Sequence, residues 1–283
     1  MKQSLRLLQL WQKLLKTAYR RLQFLLCAAF ALIQFGCKDA VPPHAENSHA
    51  GEEELGKTIH ERFTPPEGFI RTLHRENSFA EYLRTLPLKS YSSPVLYYDG
   101  NEKPNRSVYV SVVDLPIGNK NLHQCADAVM RLRAEYLFKN RQYDAIHFNF
   151  VSDGKPRYYG EYVRGDTSYT AFWKYLEHIF NYANTTSLHD EMAPVENIRD
   201  VQPGDVLIEK KQPYGHAVIV VDVAINEHGE RACLLAQSYM PAQEIQILTN
   251  PMSPSLSPWY ILEEGTIVTP EWKFTSADLR RFK

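Results

Sequence analysis

Cys125 and His216 are the residues of this 283-residue chain whose settings suit acyl-transfer chemistry. Cys125 lies in Asn121-Leu-His-Gln-Cys-Ala-Asp-Ala-Val-Met, where a polar loop turns into an apolar-periodic stretch, so the thiol falls in the first turn of a helix. Helix N–H groups and the positive end of the helix dipole face such a sulfur and favour the thiolate, the form that attacks a carbonyl. Asn121 is the expected N-cap, with Gln124 three residues on in a variant of the capping box. His216 opens the apolar run Gly215-His-Ala-Val-Ile-Val-Val-Asp, downstream of Val201-Gln-Pro-Gly-Asp-Val-Leu-Ile. That pattern reads as strand, loop and strand with an imidazole where the second strand begins. A base anchored there can lean over a neighbouring helix terminus and take the thiol proton.

The turn signal Asn226-Glu-His-Gly229 makes 216–223 and 232–239 an antiparallel hairpin, which puts Gln237 opposite Val218 and diagonal to His216 on the same face. Gln237 would then hold the imidazole in one tautomer. The N–H of Cys125 and the side chain of Gln124 are the expected oxyanion donors. Plainer readings stand beside these. Cysteine is among the most buried residue types, so Cys125 also reads as a small core hydrophobe, and His216 as a satisfied core or surface histidine. A Cys125–Cys233 disulfide suits an oxidising compartment, but a helix start and a mid-strand position have no reason to approach. His123 and Asp127 read as a polar helix start, and His189-Asp190-Glu191 as a solvated loop without metal-ligand spacing.

The elements that must hold these groups are legible in outline. Asn77–Leu86 before Pro87 reads as a brief helix, and Pro94–Tyr98, Asp99-Gly-Asn and Ser107–Val113 as a β-hairpin. The long helix spans 122–140, with Cys125, Val129, Leu132 and Tyr136 on its core-facing stripe. Ile146–Val151 and Arg157–Val163 flank Ser152-Asp-Gly as a second hairpin. Asp166 caps a helix carrying Tyr169, Phe172, Leu176 and Ile179. Residues 184–199 read as loop, and strands follow at 205–209, 216–223, 232–239 and 244–248. The expected class is α+β: the helix bearing Cys125 packed on a mostly antiparallel sheet, with an N-terminal helix and hairpin extension.

Composition is that of a folded protein, 44% hydrophobic and 23% charged. Lys2, Arg6, Lys13, Lys16, Arg20 and Arg21 precede an apolar run from Leu22 to Gly36, too short for a comfortable span but suited to an export signal. Cys37 follows in Ile33-Gln-Phe-Gly-Cys, which resembles a lipoprotein processing box. The expected organisation is therefore a signal peptide at 1–36, a lipidated Cys37 with a solvated tether to 62, and one domain over 63–283. With the six leader cations gone, 26 Lys and Arg face 33 Asp and Glu. That acidic balance argues against nucleic acid as a partner. Neither a Walker pattern nor GxGxxG appears, so no cofactor and no metal are expected.

The order helix-borne Cys125, Pro203-Gly-Asp strand, Gly215-His strand and Gln237 on the next strand resembles the NlpC-type and CHAP-type branch of the papain-like peptidases and amidases. The resemblance covers about 121–240 and departs at Cys125-Ala-Asp, where Cys-Ser-Gly is usual. It implies a papain-like (NlpC-type) fold and cysteine hydrolysis of amide or peptide bonds, commonly of cell-wall peptides. Over nearly the whole mature length, including Phe63-Thr-Pro-Pro-Glu-Gly-Phe and Ala236-Gln-Ser-Tyr-Met-Pro-Ala, the chain also resembles a family of bacterial lipoproteins known only as a domain of unknown function. The expectation is an envelope lipoprotein, lipid-anchored to a membrane and acting on peptidoglycan peptides. The alternatives are a non-catalytic binding or assembly module with the same fold, and an acyltransferase using the same thiol.

Overall fold

Two consecutive β-branched, alanine- and leucine-rich stretches, joined by the turn at Asn226–Gly229, form the centre of the molecule, described here by a computed structural model of residues 56–283. The leader, Cys37 and the tether up to 55 lie outside the described residues. Among those described, the helices are α1 (Ile59–Arg62), α2 (Phe79–Arg84), α3 (Cys125–Lys139), α4 (Tyr159–Val163), α5 (Tyr169–Tyr182) and α6 (Thr185–Glu191). The strands are β1 (Phe69–Arg71), β2 (Tyr109–Val112), β3 (His147–Asn149), β4 (Pro156–Tyr158), β5 (Ala193–Pro194) and β6 (Val206–Glu209). They continue with β7 (His216–Asn226), β8 (Arg231–Gln237), β9 (Gln246–Leu248), β10 (Trp259–Ile261), β11 (Thr266–Val268), β12 (Lys273–Thr275) and β13 (Leu279–Arg281). The class is α+β.

One sheet runs β2-β9-β8-β7-β6-β13-β5, with β1 added to β7 and β10 to β8. The long central strands are each covered in halves along one side. β6 pairs with His216–Ile219 and β1 with Ala224–Asn226, while β9 and β10 divide β8 in the same way, all antiparallel. Both faces of the sheet are buried, so β7 is an almost unbroken apolar run rather than an alternating one. Ala217, Ile219, Val221, Leu234 and Ala236 face the helices α2, α3, α5 and α6. Val218, Val220, Cys233 and Leu235 face the other way, under Ile267 and Phe274 of the β11–β12 hairpin. Helix α3 is enclosed between the sheet and the other helices, and every residue from Cys125 to Leu132 is buried. The expected four-residue stripe is thus wider than expected at the start of the helix, and Tyr136 at its far end is only partly buried.

Several expectations are corrected by long-range contacts. The fold begins before 63: Thr58 caps α1, Ile59 is fully buried, and Thr58 bridges Pro87. Residues 107–113 do not pair with 94–98. The turn at Asp99–Asn101 exists, but it folds 95–97 back on 101–103, with Leu96 bridging Glu102, while β2 pairs with β9. Residues 159–163 form α4 rather than continuing strand β4, and α5 is capped by Ser168, not Asp166. The stretch after 184 is helical as α6, because the Asn184 side chain accepts the N–H groups of Thr186 and Ser187. Cys125 and Cys233 are both free and belong to opposite faces of the sheet.

Next to the turn the β7–β8 pairs lie one residue off the expected register, from Ile225 on Arg231 to Asp222 on Leu234, and a bulge between Val220 and Asp222 then brings in the expected one, with Val220 on Leu235 and Ile219 on Ala236. On the turn side of the bulge the fully buried carboxylate of Asp222 takes Arg71 Nε at 2.7 Å, Arg84 Nε at 2.7 Å and the N–H of Val223 at 2.9 Å. This pairing ties the N-terminal segment to the centre of the sheet. Removing the carboxylate strands two largely buried guanidiniums. Asp222→Ala is therefore expected to lower the unfolding free energy by about 3–5 kcal/mol, measured by urea denaturation; a loss under about 1 kcal/mol would contradict this account.

Candidate active site

The thiol is placed by the exact start of α3. Gln124 is extended (φ −93°, ψ −165°) and occupies the N-cap, so Cys125 is the first helical residue. The Gln124 N–H is taken by Asp127 Oδ2 at 2.9 Å, the reciprocal half of a capping box. Asn121, the expected cap, instead accepts the N–H of Ala242 at 2.8 Å and pins the loop before the helix to the turn after β8. The sulfur is directed at the N–H groups of Ala126 and Ala217, and its side-chain neighbour is Thr185 Oγ1 at 3.9 Å. Thr185 is the first residue of α6, the helix that the sequence reads as loop. The Asn184-Thr-Thr-Ser capping pattern is the signal that announces it.

His216 sits one peptide from the point the thiol approaches. Its side chain leaves β7 on the side of Val218 and Val220, the face opposite α3, where Trp272 (5.2 Å), Phe274 (5.9 Å) and Tyr239 (4.8 Å) surround the ring. His216 Nε2 lies 2.8 Å from Gln237 Oε1, the partnership expected from the hairpin register. Imidazole and helix thus reach the first residues of β7 from opposite faces. The thiol and the ring share no hydrogen bond among the described residues. The titratable groups that face the ring are Tyr239, Lys103 and Glu271, with Glu209 behind Trp272 through a 2.8 Å indole N–H bond and Cys125 across the strand.

A cleft of about 330 Å³ opens over the thiol, lined by Gln124, Asn184, Thr186, Tyr214, Gly215 and Met240 among others. Gly215 fits because it has no side chain: a Cβ would lie 2.2 Å from the Glu209 carbonyl oxygen and 3.0 Å from Thr185 Cγ2. Gln124 reaches the cleft, with its amide nitrogen 3.3 Å from Asn121 Oδ1. The N–H of Cys125, a first-turn donor without an intrahelical acceptor, is free to meet an oxyanion. His189 pairs with Asp190 at 2.9 Å, and Glu191 with the Asn149 N–H at 2.9 Å. Among the described residues no cluster of three or more His, Cys, Asp or Glu is placed to hold a metal ion.

The electrostatics correct one expectation. Burial pushes the Cys125 thiol up to about 11, with the Asp127 charge adding to the rise, against the lowering by Thr185 and the Ala126 and Ala217 N–H groups. Burial pulls His216 down to about 4, the Gln237 bond opposing it and Lys103 adding to the fall. The helix terminus therefore does not yield a resting thiolate, because desolvation of a nearly enclosed sulfur outweighs the partial charges of the first turn. The resting pair is a thiol and a neutral imidazole.

The fold and cleft define an α+β protein with a buried cysteine at a helix start, a histidine on the adjoining strand and a glutamine bonded to it. The chain belongs to the family described as Domain of unknown function (4846), whose model matches residues 59–281. No curated protein and no solved structure matches it. Among the described residues no helix is long and apolar enough to cross a membrane.

His123, also buried, is pulled down to about 3, and its Nε2 has no partner. Both histidines have an ordinary value of 6.5, so below it the unfolded chain binds protons that the folded chain refuses. Stability is full above that value and is lost as the pH falls from 6.5 toward about 4. His123→Phe is expected to remove about one proton from the slope of stability against pH in this window, read from denaturation midpoints; an unaltered slope would show that His123 is protonated in the fold.

Proposed function

We propose that this chain is a membrane-anchored envelope lipoprotein whose domain is a papain-like thiol hydrolase of amide or peptide bonds, cell-wall peptides being the substrate class. The observation that carries the reading is the meeting of a first-turn thiol with the Ala217 N–H, one residue from an imidazole whose Nε2 is taken by Gln237. Nδ1 is then the nitrogen left to act as base. In the proposed reaction the Cys125 Sγ–H proton passes to His216 Nδ1 as sulfur bonds to the substrate carbonyl carbon, and the oxyanion is met by the Cys125 N–H. The C–N bond breaks as the amine takes that proton. Water, deprotonated by the same nitrogen, cleaves the thioester and returns the thiol. Because the resting pair is neutral, proton transfer accompanies attack rather than preceding it.

A second reading is a non-catalytic binding or assembly module that keeps the fold. One observation favours it: Cys125 is only 6% exposed and its thiol is raised rather than lowered. Peptidoglycan stem peptides incubated with the protein separate the two. The hydrolase reading expects cleavage that falls by about three orders of magnitude or more in Cys125→Ser and His216→Ala, with an acyl group on Cys125 detectable by mass. It also expects kcat/KM to fall as pH drops through about 4, where His216 becomes protonated. Equal cleavage by wild type and Cys125→Ser, or no cleavage of any envelope peptide, would favour the module. Anchoring is tested separately by the mass of the mature N-terminus, expected to be a lipidated Cys37.

A further inference from the structure

We infer that Glu271, braced by Lys103, is the positioning residue that fixes the His216 tautomer through Gln237. The inference deepens the hydrolase reading and rests on it for its kinetic consequence, but its geometric content is independent. Gln237 Nε2 lies 2.6 Å from Glu271 Oε2, and Lys103 Nζ lies 2.6 Å from the same oxygen. A carboxylate only accepts, so the amide nitrogen of Gln237 must point at Glu271 and its oxygen must point at the imidazole. An amide oxygen only accepts as well, so His216 Nε2 carries the ring proton. The lone pair is thereby left on Nδ1, the nitrogen nearer the main chain and the Ala217 N–H that the thiol approaches.

Without Glu271 the Gln237 amide has no reason to prefer one orientation. Rotated by half a turn, it would donate to Nε2 and move the proton to Nδ1, which would then lack the lone pair that the proposed reaction uses. Lys103 is 4% exposed and has Glu271 as its ionic partner, so the carboxylate is itself held in place from behind. Tyr239 lies between the two ends of this chain, 4.8 Å from the His216 ring and 5.8 Å from Lys103 Nζ, and closes the network against water. The four groups come from the 101–105 loop, β7, β8 and the turn before β12, so the device exists only in the assembled fold.

The test is the ¹⁵N spectrum of the full chain labelled at histidine, with the His216 signals identified by their loss in His216→Ala. At neutral pH the wild type is expected to show a protonated Nε2 and an unprotonated Nδ1. Glu271→Leu is expected to move both nitrogens toward the average of the two tautomers and to lower kcat at least about tenfold with KM within about twofold. Glu271→Gln keeps one oxygen able to accept from both Gln237 and Lys103, so wild-type shifts and rate are expected to return. A protonated Nδ1 in the wild type, or unchanged shifts in a folded Glu271→Leu, would overturn the inference. Should Glu271→Leu fail to fold, the wild-type spectrum and Lys103→Met, expected to broaden the same two signals, decide it. The expected tautomer in a chain that cleaves no peptide would overturn the hydrolase reading and leave the assignment of Glu271 standing.

Discussion

The packing of the first turn of α3 against the opening residues of β7 governs most of what the rest of this protein can do. Burial of Cys125, Ala126 and Val129 against Ala217 and Ile219 fixes where the sulfur lies to within the tolerance of a close-packed core. The same enclosure withdraws the thiol and the imidazole from water and so sets their protonation. Position and reactivity are consequently one constraint: the contact that brings the sulfur to the strand is also what keeps it a thiol. Gly215 marks how tight the arrangement is, since even a methyl group would meet the Glu209 carbonyl.

The sheet separates two tasks. Its helical face supplies the nucleophile, the Thr185 hydroxyl and the walls of the cleft. Its other face supplies the imidazole, its glutamine partner and an aromatic enclosure of Trp272, Phe274 and Tyr239. Several buried charged groups are held by an ionic partner. Asp222 holds Arg71 and Arg84, Asp205 holds Arg281 at 2.6 Å, and Glu271 holds Lys103. Such pairs are costly to break one partner at a time, which favours a single arrangement of the segments they join.

The readings from sequence that survive share a short range. The turn at Asn226–Gly229 set the antiparallel pairing of β7 with β8, because turn chemistry acts over a few residues, and the bulge between Val220 and Asp222 then supplied the register that brings Gln237 to His216. The Ser152-Asp-Gly turn likewise produced the pairing of β3 with β4. The cap of α3 slipped by three residues, from Asn121 to Gln124, because Asp127 offered a reciprocal bond and the loop needed Asn121 for Ala242. Strand β2 went to β9, whose Ile247 and Leu248 are fully buried, while 95–97 turned back on 101–103.

By itself the sequence determined that a thiol would begin a helix, that an imidazole would begin a strand and that this strand would turn back on the next, since each follows from local patterning. Tertiary structure alone decided that Thr185 flanks the sulfur, that Glu271 and Lys103 stand behind Gln237, and that the thiol is raised to about 11. Those outcomes depend on which distant segments exclude water from one small volume, and no window of neighbouring residues encodes how deeply a group is buried.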